Sequence, residues 1–338
     1  MPILRLNAGP EGLVLHSSPA CALRVLKSAA LGSGPVIVMI HGFKYDPNCI
    51  RHSPHTSIFA AKSLPVARNT VPWLHPMGFG AGDADEGLAV AFGWKARGTL
   101  WQAQDKARAA GQHLADVIKT IHSRAPHRPI HVVAHSLGSE VIFEALHSLP
   151  AHSVNRIVIL MGASYTSRAV TAMQQTKAGR YAELFNVTSR ENDPFDFFYE
   201  RLIQPPVRGD QAIGRGIRLP NALTLQLDCS RTLALLAQFG GHISEPTRRV
   251  CHWSGYSRPG ALPFYARAMR APAAVPLCAL QLMLPATVEK RWSRMFAKPR
   301  LGANTDCGAK ARIAPLRSSV SVRYKAFAQT KKTMAHHS

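Results

Sequence analysis

The chain has 338 residues, a hydrophobic fraction of 46%, and a formal net charge of +22 from Lys+Arg 41 against Asp+Glu 19. That is enough apolar sequence for one large domain, or two modest ones, around a sizeable core. The basic excess attracts anionic partners in general, but its arginines are scattered and lack interleaved aromatics for stacking bases, which argues against nucleic-acid binding as the main role.

The six cysteines are widely spaced, with no Cys-x-x-Cys pair, so free thiols are expected rather than a disulfide framework. The first residues, Met1-Pro2-Ile3-Leu4-Arg5, do not read as a signal peptide. No apolar run approaches the ~20 residues that span a bilayer. A cytoplasmic protein is the default expectation.

In chain order, a faint alternation in the first thirty residues suggests an antiparallel edge hairpin. Pro35 to Ile40 is a β-branched apolar run, hence a buried strand. Residues 44–87, rich in Pro, Gly, Ser and His, read as a loop or cap insertion. Leu88 to Phe92 is a second short strand. Trp101 to Ile121 carries Leu114, Val117, Ile118 and Ile121 at helical spacing, and Pro126 and Pro129 end it. Ile130 to Ala134 is a strand, and Val141 to Leu149 a helix. Ile157 to Met161, Leu184 to Thr188 and Leu223 to Asp228 are further strands, and Leu262 to Met269 is a helix. Strands alternating with helices predict an α/β domain, with a mainly parallel central sheet flanked by helices, over residues 1–270. From 271 to 338 the chain gains prolines and, after Glu289, about a dozen Lys and Arg with almost no acid. This basic tail is expected to be largely unstructured and to make weak contact with anionic surfaces. Its one apolar stretch, Val275 to Leu284, is long enough to dock as a helix.

The chemistry concentrates in Val132-Val133-Ala134-His135-Ser136-Leu137-Gly138. A strand must turn here abruptly into a helix, with Ser136 at the apex and small residues on both sides where backbones crowd. Such a turn exposes the hydroxyl and sets the Leu137 N–H at a helix N-terminus, where it stabilises an oxyanion. A serine cap on the following helix is the plain structural alternative.

In these residues the sequence resembles the α/β-hydrolase superfamily, especially its lipase and esterase branches, in the Ala-His-Ser-x-Gly form. The resemblance spans about residues 35–270 and implies the matching fold. It also implies that His41-Gly42-Phe43 opens an oxyanion loop, with the Phe43 N–H as second donor and His41 as a brace rather than a catalyst. A serine nucleophile needs an imidazole base, and the imidazole needs a carboxylate to set its tautomer. The family order of Ser, acid, His points to Asp193, with Asp196 and Glu191 as rivals in the same loop. It then points to His252, before the last helix, with His242 as competitor. His135 adjoins Ser136 but diverges from it at the turn.

The implied activity is a serine hydrolase acting on a small-molecule or lipid ester through an acyl-enzyme. Thioester or amide cleavage on the same triad, or a non-catalytic binding protein of the same fold, are the alternatives. No cofactor or metal is implied. Cys49-x-x-His52-x-x-His55 lacks a fourth ligand, and the glycines of 78–82 precede a strand, which is wrong for a dinucleotide loop. Trp94 and Trp101 are candidates for pocket or core.

Overall fold

A computed structural model describes residues 3–61, 70–286 and 288–296, all within one compact unit, Met1–Ala303. Eight strands form one sheet: β1 (Ile3–Gly9), β2 (Gly12–Leu15), β3 (Val36–Ile40), β4 (Leu88–Gly93), β5 (Ile130–His135), β6 (Arg156–Leu160), β7 (Glu183–Thr188) and β8 (Ala222–Gln226). Nine helices accompany them among the described residues: α1 (Ala22–Ala29), α2 (Leu100–Arg124), α3 (Gly138–Leu146), α4 (Thr166–Gln175), α5 (Asp193–Leu202), α6 (Ser230–Gln238), α7 (Ser254–Ser257), α8 (Ala261–Arg270) and α9 (Leu277–Met283). The strand order is β2-β1-β4-β3-β5-β6-β7-β8. The expected edge hairpin is present as β1–β2. Only that pair is antiparallel, because β1 runs parallel to β4.

The period-2 alternation of the strands divides the core into two layers. Val36, Val38 and Ile40 of β3 join Val132 of β5 and Leu114, Val117 and Ile118 of α2 on one face. Ile37 and Met39 join Val133, Leu235 of α6 and Leu262 of α8 on the other. Strands buried on both faces read as continuous apolar runs, as these do. Helix α2 begins at a capping box, in which Gln102 N–H donates to Thr99 Oγ1 (3.3 Å) and Thr99 N–H to Gln102 Oε1 (3.1 Å).

The segment expected to be a loop or cap contains, where described, two short 3₁₀ turns, Ile50–His52 and Pro54–Thr56. Its Ile58, Phe59, Trp73, Leu74, Met77 and Phe79 are buried in the second core layer. It therefore covers part of a sheet face. Among its glycines, Gly80 and Gly82 donate their amides to Glu86 (3.1 and 2.5 Å). Those amides serve an internal carboxylate. His55 turns inward to Asn7 Oδ1 (2.7 Å), and among the described residues no cluster of His, Cys, Asp or Glu is placed to hold a metal.

The boundary expected at 270 does not end the domain. Leu277 and Leu280 of α9 are buried in the second layer, and Gln281 Nε2 donates to Leu219 O and Ala222 O (2.8 and 3.0 Å). Arg291 pairs with Glu200 at 2.9 Å, and Trp292 packs on Phe197 with ring centroids 5.7 Å apart. Short apolar and cationic stretches that look loose in sequence find complementary partners on the folded surface. Residues 297–338, the rest of the expected tail, lie outside the described residues. No helix among the described residues is long and apolar enough to cross a membrane.

Candidate active site

Strand β3 has β4 on one side and β5 on the other, so the chain leaves β3 toward one edge and later resumes beside it toward the other. The loops at the carboxyl ends of β3 and β5 part there, opening the crevice where parallel sheets usually place their sites. Register decides which residues face each other in it. Ile40 pairs with Ala134, so the residues two beyond each, Gly42 and Ser136, come together. A Cβ on Gly42 would lie 2.7 Å from Ser136 Cβ, and one on Gly138 would lie 2.7 Å from His41 O. Both positions need glycine because two backbones touch.

Ser136 sits at the sharp turn with φ +52°, a conformation that strains any residue bearing a Cβ. Its backbone is clamped. The N–H donates to Leu160 O (3.0 Å), and the carbonyl accepts from Ser139 N (3.0 Å), Ala163 N (3.0 Å) and Ser139 Oγ (2.7 Å). Those bonds hold the serine in its left-handed conformation, and the residue is only 4% exposed, so the turn presents the hydroxyl to His252 rather than to open solvent. The amides of Leu137 and Phe43 find no acceptor among the described residues, as expected of donors facing a reaction centre.

His41 fixes the loop that carries Phe43. Its Nδ1–H donates to Gly42 O (2.9 Å) while Nε2 accepts from Trp94 N–H (3.0 Å). Its ring stacks on Trp94 at 5.4 Å. Burial pulls its pKa down to about 3, so it stays neutral and keeps both bonds. Trp94 is thus core, whereas Trp101 is 52% exposed.

His252 lies on the loop before α7. Its Nε2 is 2.8 Å from Ser136 Oγ, and its Nδ1 is 2.7 Å from Asn192 Oδ1. The loop is tied down by Cys251 N–H donating to Glu191 O (3.0 Å) and by His135 Nε2–H donating to His252 O (3.0 Å). Burial, and then the His135 ring beside it, lower the His252 pKa well below the usual imidazole range. Phe195 stacks on its other side, with centroids 4.6 Å apart.

The structure does not bring Asp193 to His252. Its Oδ1 accepts from Arg190 Nη1 (3.1 Å) and its Oδ2 from Trp292 N–H (2.6 Å). Burial raises its carboxyl against the pull of Arg190. Residue 192 ends a 3₁₀ turn, Arg190–Asn192, and residue 193 begins α5. Side chains one step apart on a helical path diverge by about 100°, so only one of the pair can face the imidazole, and that one is Asn192. Of the rivals, Glu191 is paired with Arg258 at 2.6 Å. Asp196 lies one turn below Asn192 and accepts from its Nδ2 at 2.9 Å. Burial pushes the Asp196 carboxyl up to about 8, against the pull of Arg190. His242 is exposed to solvent. Sequence reasoning thus missed Asn192, the brace from His135 and the stack from Phe195. The usable signal was the i, i+4 spacing of Asn192 and Asp196 on one helix face.

No curated protein matches the chain. Among solved structures, a Trichoderma reesei cutinase in complex with a C11Y4 phosphonate inhibitor is 13% identical, with 48% of this chain and 72% of that chain covered and a TM-score of 0.25. Residues 24–194 match the family described as "alpha/beta hydrolase of unknown function (DUF900)". With about half of its length matched and its mostly parallel, helix-flanked sheet, this chain belongs to that alpha/beta hydrolase family.

Proposed function

We propose that the protein is a serine hydrolase of carboxylic esters, with Ser136 as nucleophile, His252 as general base and Asn192 in the orienting place expected for Asp193. The observation that carries this reading is the 2.8 Å approach of His252 Nε2 to a strained Ser136 hydroxyl. As Oγ attacks the acyl carbon, Nε2 takes its proton, and the Leu137 and Phe43 amides receive the charge that develops on the carbonyl oxygen. The tetrahedral adduct collapses with cleavage of the ester C–O bond, and the imidazolium returns the proton to the departing alcohol. Water, deprotonated by the same Nε2, then attacks the acyl-serine and releases the carboxylic acid.

Phe195, Phe198 and Trp253, 36%, 60% and 49% exposed, stand on α5 and the His252 loop. They favour a small-molecule or lipid ester with an apolar acyl group. Labelling by a fluorophosphonate probe tests the assignment. The wild-type protein should label and Ser136→Ala should not, and persistent labelling of that variant overturns the nucleophile. A folded wild type that neither labels nor turns over p-nitrophenyl esters of any acyl length would instead be a binding protein on a hydrolase fold. Thioester and anilide analogues of the best ester separate the related acyl chemistries.

The contact between Gly42 and Ser136 makes a second expectation. Gly42→Ala forces a Cβ to within 2.7 Å of Ser136 Cβ, so the oxyanion loop must back away. A displacement near 1 Å costs about 100-fold in rate, with about 1–3 kcal/mol of stability lost to overpacking. Labelling rate and thermal melting of the variant measure the two effects.

A further inference from the structure

We infer that Asp196 is a positioning residue for this hydrolysis: its bond with Asn192 decides which end of that amide meets His252, and so which ring nitrogen is left as the base. The inference rests on the roles given above to Ser136 and His252. A carboxylate beside an imidazole can only accept, so it always leaves the proton on the nearer nitrogen. An amide is different, because its oxygen and its NH₂ are nearly the same size and either can face the ring. With Oδ1 toward the ring, Nδ1 keeps the proton and Nε2 offers its lone pair to Ser136. With Nδ2 toward the ring, Nδ1 must accept, Nε2 carries the proton, and the base is gone. An imidazole held in the wrong tautomer loses up to ~10⁴-fold in rate.

The orientation seen is the productive one, and it has a visible cause. Asn192 is 1% exposed, and its Nδ2 donates to Asp196 Oδ1 at 2.9 Å while its Oδ1 faces His252 Nδ1 at 2.7 Å. Asp196 is itself 3% exposed. A side chain at Gly214 would run into its carboxylate, so the glycine leaves it room. The ionised carboxylate accepts only, whereas its neutral acid can turn an O–H toward the amide. Burial opposes the anion most strongly, Asp193 and Glu200 oppose it further, and Arg190 and Arg291 favour it. The amide is therefore held most firmly at alkaline pH.

The test is made at about pH 9, where that anion prevails. Asp196→Leu removes the acceptor and should slow fluorophosphonate labelling about 100-fold or more. Adding Asn192→Asp to that variant installs an accept-only group beside the ring and should restore labelling to within about tenfold of wild type. Nitrogen-15 spectra of the His252 ring should show a proton on Nδ1 in the wild type and a shift toward Nε2 in Asp196→Leu. If Asp196→Leu does not fold, the exchange Asn192→Asp with Asp196→Asn keeps both groups and their mutual bond, and it should label at least tenfold faster than Asp196→Asn alone. Wild-type labelling by Asp196→Leu, a loss in the folded variant that Asn192→Asp does not repair, or equal rates for the exchange and Asp196→Asn would each overturn the inference. Failure of the hydrolase reading appears separately, as a wild type that never labels, and the ring spectra still decide whether residue 196 sets the tautomer.

Discussion

On the proposed mechanism, Ser136→Ala and His252→Ala should each lower ester hydrolysis by about 10⁴- to 10⁶-fold, and the double variant should be little worse than either. The non-additivity follows from the geometry. The hydroxyl is a nucleophile only while Nε2, 2.8 Å away, can take its proton, so removing either partner removes the same step. What persists is assigned to binding and to the Phe43 and Leu137 amides in the oxyanion role proposed above. Two controls separate this from a structural effect. The strain at φ +52° vanishes for glycine, so Ser136→Gly should be as inactive as alanine yet more stable by about 1 kcal/mol. A stability gain without activity marks strain held for function. Steady-state rates of p-nitrophenyl ester cleavage and melting temperatures decide it, and additive losses in the double variant would count against a shared proton transfer.

Acid should unfold the protein cooperatively, with a midpoint in the range of about pH 4 to 5.5. Burial holds four histidines neutral far below the usual imidazole value: His41 at about 3, His55 at about 2, His131 at about 3 and His135 at about 4. All four are nearly inaccessible, at 0%, 4%, 1% and 4% exposed. The unfolded chain binds a proton at each near pH 6.5, and the native state does not until its own lower value. Stability is therefore intact above 6.5 and falls as pH drops toward those values, by about 1.4 kcal/mol per histidine per pH unit. Four together remove about 5.6 kcal/mol per unit, and the raised Asp196 carboxyl, protonated in the native state first, offsets about 1.4 of that, which leaves roughly 4 per unit against a typical total of 5–15. Self-repulsion in a chain of formal charge +22 acts in the same direction.

His131 gives the internal check. Both its ring nitrogens lack a partner among the described residues, so His131→Phe should cost little at neutral pH and move the acid midpoint down. A native circular dichroism spectrum at pH 3 would refute the account.

Much of this protein is written along the chain itself. Fully apolar, β-branched runs such as Val36 to Ile40 favour strands buried on both faces, and the period of Leu114, Val117, Ile118 and Ile121 favours a helix packed onto them. The Ala134-to-Gly138 stretch marks the turn because small residues and a lone serine between strand and helix leave few other shapes. Nearly all the strands and the elbow follow from such local rules, since hydrophobic period and backbone crowding act within a few residues. Contacts made across the fold did not follow. Whether the described parts of 44–87 cover the site or fill a sheet face depended on the apolar surface of β3 and β4, against which Phe59, Trp73 and Met77 are buried. Whether 271–296 hangs free depended on Glu200 and Phe197 waiting for Arg291 and Trp292. The choice between Asn192 and Asp193 depended on where a 3₁₀ turn passes into α5 and on Arg190 and the Trp292 amide holding Asp193 away. A side chain's direction at such a junction is set by roughly one residue of helical phase, and only the packed structure fixes that phase.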